Sequence, residues 1–168
     1  MQKSMVQKLA QVGLLVAMEI VLSRFLSIST FNLKIGFSFL PLAIVGVLYG
    51  PVWGAAAGGL ADFLGAILFP IGPYFPGFTL TAMLMGASFG FFLHKNGNLG
   101  RTVAAVAINR LPLSLGLNTL WISILYGKAF WALVPGRVLQ EVILLPIQVA
   151  VVWFITQKLP TFLKRRAA

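Results

Sequence analysis

Apolar positions run almost unbroken through six stretches of the chain, and the breaks between them are short and rich in glycine, proline or charge. Within each stretch the apolar residues do not alternate with polar ones, so a half-buried strand is a poor fit and a helix that is apolar all round is the better one. The pattern predicts helices over 6–26, 36–49, 52–68, 77–93, 102–126 and 137–159. "GPVWG" at 50–54 reads as a tight turn, "HKNGNLGR" at 94–101 as a polar turn, and "GKAFWALVPG" at 127–136 as a connection. Pro112 and Pro146 fall inside predicted helices, where a missing N–H predicts bends. The most irregular stretch is "FPIGPYFPGFTLTA" at 69–82, with prolines at 70, 73 and 76. Residues before prolines are pushed out of the α region, so 69–76 reads as a stiff loop and 77 as the start of a helix.

Composition turns this all-α pattern into a membrane pattern. Of 168 residues 59% are hydrophobic and 10% charged, against about 25% charged in an ordinary globular domain. A soluble domain of this size cannot hide that much apolar surface. Helices of about 20 apolar residues span a bilayer with every backbone group satisfied, whereas a barrel needs alternating strands. We therefore expect one all-α integral membrane domain, residues 1–168, with six transmembrane helices. Lys3 and Lys8 precede the first apolar run as in a signal peptide, but the run passes Glu19 to Arg24 without a small-residue cleavage site. It reads as a retained helix.

The formal net charge of +10 would suggest nucleic acid in a soluble protein. Here the basic residues sit at the ends of apolar runs and read as topology signals instead. Lys3, Lys8, Lys95, Arg101, Lys158, Lys164, Arg165 and Arg166 fall on one side, and Arg24, Lys34, Lys128 and Arg137 on the other. The richer side is expected to be cytoplasmic. Both termini are then inside and the proline loop outside. The absence of cysteine and the single histidine, His94, leave no thiolate metal site and no HExxH pattern.

Ionisable groups within apolar helices are costly, so they face the interior and find partners. Asp62 and Arg110 both fall roughly 13–15 Å from the inner side on helical rise, which makes an Asp62–Arg110 lock an expectation. Glu141 lies one turn beyond Arg137 on the same face, either as a local ion pair or as a group that positions Arg137 or accepts from a ligand. Glu19 has no evident partner in sequence. The outer halves of the last two helices gather Asn118, Trp121, Tyr126, Trp131, Arg137 and Gln140. Aromatics there are usual in membrane belts, but with amides and arginines beside a rigid loop they also suit a planar heteroaromatic anion. Small residues form two sets. "GAAAGG" at 54–59 reads as packing inside the bundle, and Ala10, Gly13 and Ala17 can present a close-approach face to another protein.

"LSRFLSI" (22–28), "LKIGFSFLPLAIVGVLYGP" (33–51), "GGLADFLGAILFPIGPYFPGFTLTA" (58–82) and "LPIQV" (145–149) after Arg137 occur in order over most of the chain. In these segments it resembles the substrate-binding S-components of energy-coupling factor vitamin transporters, most closely the folate-specific ones. The resemblance implies a six-helix protein of the bacterial cell membrane with cytoplasmic termini. It implies a high-affinity vitamin site near the outer surface, and partnership with a transmembrane coupling protein and two cytoplasmic ATPases. Toppling in the membrane is then expected to carry the site across. No Walker motif is present or needed in the chain itself. Catalytic residues, metal and cofactor are not expected, and the partners are folate and membrane lipid rather than nucleic acid.

Carried onto this sequence, the resemblance marks Arg24, Pro76, Gly77, Phe78, Thr79 and Arg137 as pocket or gate residues. It marks Ala10, Gly13 and Ala17 as the face for the coupling protein, with Gly13 where the family pattern has alanine. Folate has a flat pterin and a dicarboxylate tail. Trp121, Tyr74 or Phe75 can stack on the ring, Arg24, Lys128 or Arg137 can hold the tail, and Thr79 and Asn118 can address the pterin edges, with Gln140 close by. Residues 69–76 are then an extracellular lid that moves as a unit. The competing readings are an S-component for another vitamin, a small membrane enzyme, which the sparse acids and lone histidine disfavour, and a scaffold or lipid-binding bundle.

Overall fold

The computed structural model describes residues 5–29, 34–94 and 97–167; Lys3 and Lys95, counted above on the more basic side, lie outside them. Among the described residues there are six helices: α1 (Met5–Arg24), α2 (Phe39–Tyr49), α3 (Pro51–Leu68), α4 (Pro76–Leu93), α5 (Leu99–Tyr126) and α6 (Phe130–Ala167). Five of them are long and apolar enough to cross a membrane. The exception is α2, whose 11 residues cover only about 16 Å at helical rise. The purely helical expectation misses one detail. Ile28–Ser29 (β1) pairs antiparallel with Lys34–Ile35 (β2), Ile28 opposite Ile35 and Ser29 opposite Lys34. This ladder holds residues 34–35 extended, which explains why α2 starts at Phe39 rather than at 36.

Prolines and glycines set most helix boundaries. Pro51 and Pro76 sit at the first positions of α3 and α4, where the missing N–H has no intrahelical partner to lose. Gly50, with φ of 88°, makes the α2–α3 turn so tight that the two helices are nearly contiguous. Asn98 caps α5, its Oδ1 accepting from the Arg101 amide at 2.9 Å.

α3 and α4 form the closest helix pair. A side-chain carbon at Gly54 would strike the backbone carbonyl of Gly86, and one at Gly58 that of Ala82. The "GAAAGG" run is therefore internal packing, as expected. Around this pair the core collects Val12, Val16 and Ile20 from one face of α1, then Leu42, Ala43, Val45 and Val47 from α2. Ala57 and Ala61 of α3, Phe89 and Leu93 of α4, Ala105 and Val106 of α5 and Val152 of α6 complete it. At the end away from the proline loop, His94 Nδ1 lies 3.0 Å from the Val47 carbonyl oxygen, and Gln157 Nε2 donates to Gly97 O at 3.0 Å. These contacts tie the α4–α5 turn to α2 and α6.

Two expectations change in the last helices. The bend expected at Pro112 is instead a π-helical stretch over Asn109–Asn118. Proline lacks the N–H that an α-turn would bond, and a wider turn relieves the clash of its ring. The wider turns also shift the phase of the buried face. Asn109, Leu113 and Ser114 are buried, and then Thr119 and Ile122, while Leu120 and Ile124 are 39% and 57% exposed. The connection expected at 127–136 is also shorter than its proline suggested. Gly127 turns the chain with φ of 62°, and α6 is helical from Phe130, with Pro135 and Pro146 both inside it. Packing of its buried face, including Leu133 and Leu144, compensates the two missing backbone donors.

Candidate ligand cavity

The proline loop, all six helices and the segment before α2 enclose a cavity of about 560 Å³, within the range of small-molecule sites. Three sets of side chains build it.

The first lies at the mouth, where α1, α3 and α4 meet. Arg24, the last residue of α1, points Nη2 at Asp62, 3.4 Å from its backbone oxygen and 3.9 Å from its carboxylate. Thr79 Oγ1 donates to the same carboxylate at 2.7 Å, and the Tyr74 hydroxyl lies 3.2 Å from Thr79 Oγ1. One acid thus links helix end, helix middle and loop. Gly65 lies directly under the guanidinium, where a Cβ would approach Arg24 Nε to 2.9 Å.

The second set is aromatic. Phe75, extended at the N-cap of α4, meets Trp121 with ring centroids 5.6 Å apart, and Phe78 edge-on at 6.2 Å. Trp121 Nε1 donates to Thr81 Oγ1 at 3.0 Å, and Thr81 donates to Gly77 O at 3.0 Å. Any Cβ at position 77 would fall 2.6 Å from both Phe75 and Trp121. Glycine is required there by close approach, and the phase shift of α5 is what turns Trp121 towards it.

The third set is the buried end, between α5 and α6. Arg110 Nη1 lies 3.4 Å from Glu141 Oε2 and its Nε donates to Gln148. Ser114 Oγ donates to Glu141 Oε1 at 2.6 Å, while Arg137 Nη2 donates to the Ser114 carbonyl at 3.1 Å. Glu141 is 2% exposed and Arg137 6%. Charges this deep persist only when paired and hydrogen-bonded, as these are.

The expected Asp62–Arg110 lock is overturned. Asp62 faces α1 and α4 and pairs with Arg24, and Arg110 faces α6 and pairs with Glu141. Similar depth placed them at one level but not on facing surfaces. Glu141 does act on its own helix neighbour's surroundings, since it and Arg137 both bond Ser114.

Of the sequence-named site residues, Arg24, Tyr74, Phe75, Phe78, Asn118, Arg137 and Gln140 line the cavity. Pro76, Gly77, Thr79 and Trp121 stand behind that lining, the last two bonded to residues in it. Lys128 is not brought to the cavity. It is exposed in the α5–α6 turn, where its carbonyl accepts from Ser123 Oγ at 2.6 Å. Sequence reasoning did not name Glu19, Asp62, Asn109, Arg110, Ser114 and Gln148 as site residues, yet all line it. A signal was present: residues 137, 141 and 148, and 110, 114 and 118, are polar positions at helical spacing in apolar runs. Ala10, Gly13 and Ala17 lie away from the cavity, exposed on α1 beside the buried face of Val12, Val16 and Ile20.

Comparison with known proteins agrees with this arrangement. The family profile "ECF transporter, substrate-specific component" matches residues 7–156. The chain is 41% identical over 140 residues to the folate transporter FolT of Clostridium novyi (strain NT), covering 83% of this chain and 81% of that protein. It is 33% identical over 150 residues to the folate transporter FolT of Leuconostoc mesenteroides subsp. mesenteroides, covering 85% and 80%. A crystal structure of FolT bound with folic acid matches with a TM-score of 0.87 at 36% identity, covering 90% of this chain and 93% of that one. With five spanning helices, a polar cavity between them and a profile match over most of its length, this multi-pass membrane chain belongs to the substrate-specific component family of ECF transporters.

Proposed function

We propose that this chain is the folate-binding component of such a transporter. It captures folate from the outer side of a bacterial cell membrane, with both termini cytoplasmic, and delivers it inward together with a transmembrane coupling protein and two cytoplasmic ATPases. The chain catalyses no reaction itself. One observation carries this reading: a cavity of about 560 Å³ that sets flat rings, arginines and amides around a single half-open space, in a fold shared with a folic acid-bound relative. A pterin asks for the rings and amides, and a glutamate tail for a guanidinium.

Arg24, Tyr74, Phe75, Phe78, Asn118, Arg137 and Gln140 are the proposed ligand contacts. Thr79, Trp121, Pro76 and Gly77 hold the loop in place behind them. The loop is the proposed lid, hinged where Phe75 meets Trp121. The exposed face of Ala10, Gly13 and Ala17, with open space around Gly13, is the proposed docking surface for the coupling protein.

The test is calorimetry on detergent-purified protein with folic acid, riboflavin, biotin and thiamine. Folic acid should bind far more tightly than the other three. Tighter binding of another vitamin would reassign the component, and no binding of any would leave a scaffold. For the partners, the tagged chain should copurify with two ATPases from its native membrane.

A further inference from the structure

Five residues of α5 that line the cavity are spaced four apart: Arg110, Ser114, Asn118, Ile122 and Tyr126. In an α-helix such a set does not stay on one side. Each step of four residues turns about 40° past a full turn, roughly 160° over four steps, so the last would face away from the first. They share one side here because Asn109–Asn118 is wound in π-turns, which take in more residues per turn. The buried positions record the same change. Thr102, Ala105, Val106 and Asn109 lie on one α-helical face. Continued, that face would bury Leu120 and Ile124, which are exposed, whereas Ile122 is buried. The stretch has set the rest of α5 back by about one residue, or about 100°.

Pro112 lies inside the stretch, exposed at the helix surface and outside the cavity lining. An α-turn would leave the Ile108 carbonyl facing a position where proline has no amide hydrogen, and an unpaired carbonyl is costly in a membrane. A π-turn hands that carbonyl to the amide of Leu113 instead. Proline by itself is not enough, since Pro135 and Pro146 stand in the α-helical turns of α6. Around Pro112 the wide winding is also tied to neighbouring helices. Ser88 Oγ donates to Asn109 Oδ1, Ser114 Oγ to Glu141 Oε1, and Trp121 Nε1 to Thr81 Oγ1. We propose that Pro112 is a positioning residue for the site. It touches no ligand, but by holding the wide turns it keeps the α5 wall facing the cavity and Trp121 against the proline loop. This inference rests on the folate reading above and adds to it a residue that acts from the outer surface of the bundle.

The experiment is calorimetry with folic acid on the full-length purified chain, beside thermal melting without ligand. Pro112→Ala restores the amide and lets α-turns run through. It should weaken folic acid about tenfold or more, while its melting temperature stays at or above that of the wild type. A purely structural role would lower both together. Deleting Leu115 in the Pro112→Ala background removes the surplus residue and returns 118–126 to their present phase, so most of the affinity should come back. Pro112→Leu is the second variant and should behave as Pro112→Ala does. Pro146→Ala, which leaves α5 unchanged, should bind as the wild type does. The chain has no cysteine, so a spin label on Ile124→Cys reads the phase directly. Its accessibility to oxygen dissolved in the bilayer should be high in the otherwise wild-type chain and should fall with Pro112→Ala. Unchanged affinity in folded Pro112→Ala or Pro112→Leu overturns the proposal. So does a loss that tracks the melting temperature, a deletion of Leu115 that recovers nothing, or misfolding of both variants. A wild type that does not bind folic acid overturns the functional reading itself, and the spin label then still tests the winding alone.

Discussion

The α3–α4 seam and one wall of the ligand cavity are made from the same two helices, and they are opposites. Towards the α2–α3 turn, Gly54 and Gly86 bring the two backbones into direct contact. Towards the proline loop the same helices present Asp62 and Ala66, and Phe78 and Thr81, to an open cavity. The change happens within a few turns of each helix. Where side chains are missing, the helices close and nothing else fits between them. Where rings and paired charges stand, and a stiff loop rather than a turn joins the helices, the space stays open. The comparison teaches that the cavity depends on the seam, because helices fixed at one end are held apart in a defined way at the other.

The sharpest way to break that comparison is Gly54→Leu. Its side chain has only the Gly86 backbone to displace, so the cost should exceed the about 1–3 kcal/mol usual for overpacking. We expect no monodisperse protein on size exclusion. Glu141→Ala comes next, because it strips the partner from buried Arg110, a change that typically costs about 3–5 kcal/mol. It should lower the melting temperature in detergent strongly, whether or not ligand is present. Gly77→Ala should cost about 1–3 kcal/mol by forcing Phe75 and Trp121 apart, visible as altered tryptophan fluorescence and a lower melting temperature. Arg137→Ala should weaken folic acid at least tenfold, about 1.4 kcal/mol, by calorimetry. An unchanged affinity in folded protein would remove Arg137 from the site. The smallest effect belongs to Gly13→Leu. It faces open space, so stability should stay within about 0.5 kcal/mol and folic acid binding should not change, while copurification with the ATPases is lost.

Much of the bundle was legible along the chain. Six apolar runs, the boundaries at Pro51 and Pro76 and the internal role of "GAAAGG" follow from local rules, because proline, glycine and long apolar runs act through their own backbone and solvent. The start of α6 was misjudged because Pro135 and Gly136 read locally as a connection, whereas burial of the helix face outweighs their propensity. The pairing of Asp62 was misjudged for a related reason. Depth can be counted from a sequence, but the direction in which a side chain points depends on helix rotation, and in α5 that rotation is altered by the π-helical stretch at Asn109–Asn118.

What the sequence by itself determined is a membrane-embedded helical chain, a rigid proline loop and a set of polar residues too costly to be idle in lipid. Tertiary structure alone decided which of these meet: Arg24 with Asp62 and Thr79, Arg110 with Glu141 and Ser114, Phe75 with Trp121. The physical reason is that polarity and apolar length are properties of residues and segments. Pairing is a property of the rotation and separation of whole helices, which close packing at a few glycines sets from a distance.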